Sequence, residues 1–228
     1  MKIYAIGDVH GELGLLEEMM AEIMSEIREE DRIIFLGDYI DRGPKSFETI
    51  EFLIDLQMKH KDTIYLLGNH EEMLLNAIER GKFHDIMLWQ ENGGFVTVEN
   101  YQKLGYLKNM DFHHEFPMAH FLFLKSLRLF YESANYIFVH AGVLNNSMTP
   151  GIDQLNEMDP DIFLWTRAEF YANPHGMWGK KIIYGHTPRK IPEVLEWSIG
   201  IDTGAALKDG GTLTCVVLPE ERFIQKHK

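Results

Sequence analysis

The sequence predicts a single α/β (α+β) domain in which a βαβαβ unit is followed by a helical insert and by further strands. Its 228 residues, 45% of them hydrophobic, are enough to build one sizeable core. Strand-like and helix-like hydrophobic periods alternate regularly through the first seventy residues. No repeat period, low-complexity tract or long linker divides the chain. We therefore expect one domain over residues 1–228.

The first third of the chain carries three short apolar runs separated by two helical patterns. In chain order these segments are Met1–Ile6, Leu13–Glu29, Arg32–Leu36, Phe47–Lys59 and Ile64–Leu67. Each apolar run leads into a glycine followed by a polar residue. Because ligands of α/β sheets collect at the carboxyl ends of strands, we expect these polar residues to converge in space.

The remainder of the chain predicts a helical insert and a second sheet. Residues 71 to about 130 are mostly helical in pattern and should cover one rim of the site. Four later runs predict a second, largely antiparallel sheet: Tyr136–Val139, Lys181–Tyr184, Val194–Ile201 and Thr212–Leu218. The turn residues at 209–211 (DGG) predict a tight hairpin.

Composition narrows the functional classes. The formal net charge of −13 gives no general attraction to nucleic acid or to anionic lipid, so we expect neither as a partner. No apolar stretch approaches the ~20 residues that a membrane helix needs. The one cysteine, Cys215, lies in an apolar run and is expected to be an inert core thiol. These features indicate a soluble, cytoplasmic protein.

Three glycine-containing segments in the first half carry potential metal ligands. They are residues 7–11 (GDVHG), 37–43 (GDYIDRG) and 68–71 (GNHE). Because alternate residues leaving a strand point to the same side, Asp8 and His10 can bind one ion, and Asp38 can bridge to a second. Carboxylate, imidazole and amide ligands suit manganese, iron, zinc or nickel.

This series of segments resembles the metallophosphoesterase superfamily, and within it the bacterial and bacteriophage branch of the phosphoprotein phosphatase family. That branch also includes symmetrical diadenosine tetraphosphatases. The later segments 140–142 (HAG), 164–167 (LWTR), 185–187 (GHT) and 201–205 (IDTGA) match further motifs of the family, as do Trp89 and residues 92–94 in the insert. The resemblance implies a four-layer αββα sandwich, with two mixed sheets flanked by helices.

The resemblance also implies a binuclear metal centre. Asp8, His10 and Asp38 would hold one divalent ion. The second would be held by Asp38, Asn69, His140 and His186. Manganese is the expected metal, with iron, zinc and nickel as the other candidates.

The implied reaction is direct attack of a metal-bridging hydroxide on a phosphate ester. Arg42, Arg167 and Asn69 would contact the substrate phosphate, His70 would protonate the leaving group, and Asp41 would orient His70. Two plainer interpretations stay open from the residues alone. Asp41 and Arg42 could cap the helix that follows, and Arg167 could be a surface ion-pair partner.

Three functions are compatible with these residues. The favoured one is a protein serine/threonine phosphatase acting on phosphoproteins or small phosphomonoesters. The alternative is a symmetrical bis(5'-nucleosyl)-tetraphosphatase, whose adenine would have to contact insert aromatics among Phe83, Trp89, Phe95 and Tyr101. The third is a non-catalytic scaffold, which the complete set of ligands argues against. The oligomeric state is left open by the sequence.

Overall fold

Two five-stranded mixed sheets lie at the centre of the fold in this computed structural model, which describes residues 1–109, 111–144, 152–171 and 178–228. Helices cover the outer face of each sheet. The apolar side chains accordingly form three buried layers, one between the sheets and one under each set of helices. The predicted four-layer sandwich is therefore confirmed.

The first sheet has the order β10-β9-β1-β2-β3. Strands β1, β2 and β3 are parallel, and β9 pairs antiparallel with both β1 and β10. Its strands are β1 (Ile3–Ile6), β2 (Arg32–Phe35), β3 (Ile64–Tyr65), β9 (Thr212–Leu218) and β10 (Arg222–His227).

The second sheet has the order β4-β5-β6-β8-β7. Its three central strands are parallel, and the two edge strands are antiparallel to their neighbours. Its strands are β4 (Phe130–Glu132), β5 (Tyr136–Val139), β6 (Lys181–Tyr184), β7 (Glu193–Val194) and β8 (Ser198–Gly200).

Most of the helices pack on the first sheet. They are α1 (Leu13–Glu26), α2 (Ser46–Lys59), α3 (Asn69–Arg80), α4 (Phe83–Trp89), a π-helical turn (Gln90–Gly94), α5 (Phe95–Lys103), α6 (Phe112–Glu115) and α7 (Met118–Lys125). Three short helices lie along the second sheet: α8 (Ile152–Glu157), α9 (Pro160–Trp165) and α10 (Ala168–Tyr171). Among the described residues, no helix is both long and apolar enough to cross a bilayer.

The strands divide their side chains between two buried layers, as the two-residue period of a strand requires. In β1, Ile3 and Ala5 face the layer between the sheets, whereas Tyr4 and Ile6 face the helices. A strand buried on both faces reads as a continuous apolar run, as β1 does. Cys215 of β9 is fully buried, as predicted.

Two details of the predicted second sheet are wrong. The sheet is not largely antiparallel, because β5, β6 and β8 are parallel. In the described part of the crossover from β5 to β6, the helices α8 to α10 are too brief to show a helical period in the sequence. Residues 212–218 also pair with β1 in the first sheet. The turn before them thus connects two sheets and does not form a hairpin.

Candidate active site

Polar side chains follow six strands from the two sheets and meet at one place. Asp8 and His10 follow β1, and residues 38–42 follow β2. Asn69 and His70 begin α3 directly after β3. His140, His186 and Asp202 follow β5, β6 and β8. The two sheets therefore bring distant segments to one site, as the strand-end argument predicted.

Asp38 lies at the centre of this site and is almost fully buried. One carboxylate oxygen, Oδ2, lies 3.5 Å from Nε2 of His10, and the other, Oδ1, lies 3.4 Å from Nε2 of His140. Oδ1 also accepts a hydrogen bond from the backbone N–H of His70. Although burial raises the pKa of Asp38, the surrounding histidines, including His186, lower it well below its usual range. Asp38 is thus an ionised carboxylate facing histidines on two sides.

Two compact groups of potential ligands share Asp38. Within each group the ligand atoms lie within 4.8 Å of one another. The groups are His10 with Asp38 and His70, and Asp38 with His140 and His186. The second contains three of the four side chains expected to hold one ion, and the first has His70 where the resemblance places Asp8.

The histidines of the second group both contact the amide oxygen of Asn69. His140 donates its Nδ1–H to the carbonyl oxygen of Leu36, at 2.9 Å. Burial lowers the pKa of His140, so the ring is neutral and its Nε2 carries a lone pair. That lone pair faces Oδ1 of Asn69 at 3.0 Å, and Nδ1 of His186 lies 3.1 Å from the same oxygen. Imidazole nitrogens and an amide oxygen that converge in this way suit a divalent cation.

His10, on the opposite side of Asp38, also donates its Nδ1–H to a backbone carbonyl oxygen. Its Nδ1–H donates to the carbonyl oxygen of Ile40 at 2.8 Å, which leaves Nε2 as an acceptor. Burial lowers the pKa of His10 to about 3. The Arg42 guanidinium donates to this Nε2, with Nη1 at 2.8 Å. Arg42 is otherwise exposed, so it lies where a substrate anion can reach it.

His70 and Asp41 form a buried pair beside this centre. Nδ1 of His70 lies 2.7 Å from Oδ2 of Asp41, and Nη2 of Arg42 lies 2.9 Å from Nε2 of His70. Burial alone would lower the pKa of His70, but the charges of Asp38 and Asp41 raise it above its usual value. The two carboxylate charges stabilise a proton on His70, whereas the Arg42 guanidinium, which can only donate, makes Nε2 of His70 the acceptor in their hydrogen bond.

The insert holds the Asp41 carboxylate. Trp89 donates its indole N–H to Oδ2 of Asp41 at 2.9 Å, and Thr97 donates its hydroxyl to Oδ1 at 2.6 Å. The backbone N–H of Asp41 in turn donates to Oγ of Ser46. Neither Asp41 nor Arg42 caps α2, whose N-cap is Lys45. The sequence had identified Trp89 without its contact to Asp41, because no local pattern links residues so far apart.

Glu71 is a further residue whose role the motif did not reveal. Its fully buried carboxylate accepts four backbone N–H groups. Oε1 binds those of Tyr39 and Ile40, at 2.8 and 3.2 Å. Oε2 binds those of Asp38 and Gly68, at 2.9 and 3.1 Å. Glu71 thereby ties the start of α3 to the loop that carries Asp38.

The backbone around the site is strained. Seven non-glycine residues of the described chain have positive φ, and five of them belong to the site: His10, Asp38, Asp41, Arg42 and His186. Such conformations cost free energy and persist where surrounding contacts impose them. Close approach adds a further constraint, since a Cβ at Gly68 would overlap the Asp38 carboxylate and one at Gly185 would overlap Asp8.

Three buried carboxylates interact within the site, those of Asp8, Asp38 and Asp202. Asp8 accepts the backbone N–H of His186 at 3.1 Å. Burial together with the charges of Asp202 and Asp38 raises the pKa of Asp8, and burial raises that of Asp202 to about 6. Buried like charges need a compensating cation. The donor set therefore fits divalent ions that are bound by carboxylate, imidazole and amide groups. The sequence identified Asp202 as part of a matching segment but assigned it no role.

Arg167 lies beyond the end of α9 on the His186 side and is exposed. Burial is the main cause of the low pKa values of His140 and His186, and the positive charge of Arg167 contributes to both. The structure thus places a second arginine charge near the centre, opposite in sign to a phosphate.

Comparison with known proteins places the chain among phosphoesterases. The family model for calcineurin-like phosphoesterases matches residues 1–211. The asymmetrical bis(5'-nucleosyl)-tetraphosphatase PrpE of Oceanobacillus iheyensis is 30% identical, over 98% of this chain and 91% of its own. The corresponding PrpE of a Geobacillus species (strain WCH70) is 28% identical, over 96% and 91% of the two chains.

A solved structure shows the same fold. The cold-active protein-tyrosine phosphatase of a psychrophilic Shewanella species superposes with a TM-score of 0.64, at 17% identity. The alignment covers 100% of this chain and 79% of that one. At this identity the likeness concerns the fold alone.

Proposed function

The chain belongs to the calcineurin-like phosphoesterase family, and we propose that it hydrolyses dinucleoside tetraphosphates asymmetrically, with two divalent ions. The observation that carries the substrate class is the full-length similarity to relatives named asymmetrical bis(5'-nucleosyl)-tetraphosphatase. The sequence alone had favoured a protein serine/threonine phosphatase. The relatives favour its alternative, the dinucleotide hydrolase, but with asymmetrical in place of symmetrical cleavage.

The ligand assignment follows the resemblance and is compatible with the geometry. Asp8, His10 and Asp38 would hold one ion, and Asp38, Asn69, His140 and His186 the other. His70 lies close enough to Asp38 to be considered a ligand, with Nε2 3.9 Å from Oδ2. We assign it instead as an acid because its other nitrogen is bound to Asp41 and its pKa is raised. Manganese fits this donor set, as do iron, zinc and nickel.

The side chains supply the remaining chemistry. When bound, two divalent ions would lower the pKa of a water molecule and compensate the negative charge of the phosphate. Arg42 and Arg167 would bind the non-bridging phosphate oxygens, because a guanidinium group is always charged and donates two parallel hydrogen bonds. Asn69 would orient the phosphate from the start of α3. His70 would give its proton to the departing oxygen, and Asp41 would fix the tautomer of His70.

Two of the four insert aromatics named in the sequence analysis are not accessible to an adenine ring. Trp89 and Tyr101 are fully buried, and Trp89 is committed to Asp41. Phe83 and Phe95 are exposed. We infer a cytoplasmic location from the single, buried thiol at Cys215. A nucleotide substrate is compatible with that location.

Substrate comparison tests the proposed function. Turnover should be measured side by side, with added manganese, for diadenosine tetraphosphate, a phosphoserine peptide and a phosphotyrosine peptide. We expect the highest kcat/KM for the dinucleotide, with ATP and AMP as products. Preference for the phosphoserine peptide would restore the protein phosphatase function, and ADP as the only product would indicate symmetrical cleavage.

A further inference from the structure

A groove of about 480 Å³ lies next to the active site, between α3, α4 and α9. Its volume is within the range of small-molecule sites. We call it the α3–α4–α9 groove. Its apolar surface comes from Met73, Leu88 and Trp165. Polar and charged side chains line the remainder, namely Glu72, Asn76, Arg80, His84, Asp85 and Asp161. The groove is separate from the metal ligands but adjoins them.

Trp165 connects the groove to the active site. Its ring lies edge-on to the ring of His186, with 6.3 Å between the centroids. Its indole N–H donates to Oε2 of Glu72 at 3.0 Å, which fixes the orientation of the ring. The side chain is nevertheless 36% exposed. Trp165 therefore offers an oriented aromatic surface one side chain away from a proposed metal ligand.

The charges of the groove exclude a phosphate chain and suit a nucleoside. Glu72, Asp85 and Asp161 line it, against the single guanidinium of Arg80. Three carboxylates repel polyphosphate, but they accept hydrogen bonds from ribose hydroxyls and from the amino group of a base. The phosphates of the substrate are therefore directed to the arginines of the active site, and only the nucleoside can occupy the groove.

Building on the proposed function, we propose that the α3–α4–α9 groove binds one nucleoside of the dinucleotide, with its base stacked on Trp165. Because Trp165 adjoins His186, the phosphate attached directly to this nucleoside is the one that reaches the active site. The attacked phosphorus is therefore the α-phosphorus of the groove-bound nucleotide. Binding in this place produces asymmetrical cleavage.

The reaction balances in this orientation. The oxygen of one water molecule forms a new bond to the α-phosphorus, and the bond from that phosphorus to the bridging oxygen breaks. The bridging oxygen leaves on the nucleoside triphosphate and takes up the proton from His70, and the proton that the attacking water loses restores the protonated form of His70. The groove retains the nucleoside monophosphate.

Isotope labelling tests which phosphorus is attacked. Diadenosine tetraphosphate is hydrolysed by the manganese-loaded enzyme in water enriched in oxygen-18. AMP and ATP are then separated, and the mass of each is determined by mass spectrometry. We expect the label in AMP and none in ATP. Label in ATP would show attack on the neighbouring phosphorus and would overturn the proposed orientation. Formation of ADP, or no turnover of the dinucleotide beside active turnover of phosphomonoesters, would instead contradict the proposed function.

Inhibition by product analogues tests the role of Trp165. AMP should inhibit phosphomonoester turnover more strongly than ribose 5-phosphate, which lacks the base. The advantage should be roughly 5- to 150-fold, as expected for one stacked base. In Trp165→Ala this advantage should disappear, and in Trp165→Phe, which can still stack, most of it should remain. The matched control is Trp197→Ala, another exposed tryptophan that does not line the groove.

Equal inhibition by AMP and ribose 5-phosphate in the unaltered enzyme would overturn the groove assignment without any variant. An unchanged AMP advantage in a folded Trp165→Ala protein would overturn the role of Trp165. Both results would leave the proposed phosphoesterase function standing, since the phosphomonoester turnover that reports inhibition would persist.

Discussion

Nδ1 of His70 lies 2.7 Å from Oδ2 of Asp41, and both side chains are withdrawn from solvent. The carboxylate is held in turn by Trp89 and Thr97 from the insert. A histidine bound to a fixed carboxylate at one nitrogen presents its other nitrogen in a defined direction. The pair therefore has the construction of a general acid, and its properties can be tested directly.

Replacing His70 with asparagine should lower the rate while both metal ions stay bound. The loss should be roughly 10²–10⁴-fold for a phosphoserine peptide, whose alkoxide must be protonated as it leaves. It should be smaller for para-nitrophenyl phosphate and for diadenosine tetraphosphate, because phenolate and polyphosphate are weaker bases. Steady-state kinetics and elemental analysis provide the measurement, under conditions in which chemistry limits the rate. Loss of an ion would identify His70 as a ligand.

Replacing Asp41 with asparagine should shift the alkaline limb of the kcat profile to lower pH. Burial lowers the pKa of His70, and the charges of Asp38 and Asp41 raise it. Without the charge of Asp41 the pKa falls, so the protonated acid is lost at a lower pH. The pH dependence of phosphoserine turnover measures this shift. An alkaline limb that stays in place would show that His70 is not the titrating acid.

Replacing Glu71 with glutamine should destabilise the fold and weaken metal binding together. The amide group would put an NH₂ where one carboxylate oxygen now accepts two backbone N–H groups. A buried donor left without its acceptor costs about 1–3 kcal/mol, so the free energy of unfolding should fall by at least that amount. Denaturant titration measures it. Glu79→Gln, at an exposed position of α3, is the matched control and should change the stability little.

Replacing Asp38 with asparagine should reduce the bound metal as well as the rate. Asp38 lies between His10 and His140, so a neutral amide at this position weakens the attraction for both ions. Elemental analysis after dialysis against limiting manganese should find fewer ions than in the parent protein. Two ions retained at undiminished affinity would contradict the bridging position of Asp38.

The sequence predicted those parts of the site that local motifs encode. Asp8 with His10, or Asn69 with His70, lie close together in the chain, and the strand ends that carry them follow from hydrophobic periodicity. The contacts of Trp89 and Thr97 with Asp41 join residues about fifty positions apart and have no local signature. The four backbone hydrogen bonds that Glu71 accepts likewise cannot be predicted from a motif that shows only its carboxylate.

The errors about the fold have a similar origin. Residues 212–218 are mostly apolar, which indicates a buried strand but not the sheet to which it belongs. Pairing with β1 depends on contacts between the two ends of the chain.

The preference for a phosphoprotein substrate arose because the catalytic residues are common to both reactions. Substrate choice depends on surfaces such as that of Trp165, whose exposure the sequence does not show.

Metal removal and restoration, followed by product analysis, test the central claim most directly. The protein is stripped with a chelator until elemental analysis finds no metal, and is then titrated with manganese in the presence of diadenosine tetraphosphate. We predict no turnover by the metal-free protein, and formation of ATP and AMP that reaches its maximum at two bound ions per chain. Undiminished turnover by verified metal-free protein would contradict the account.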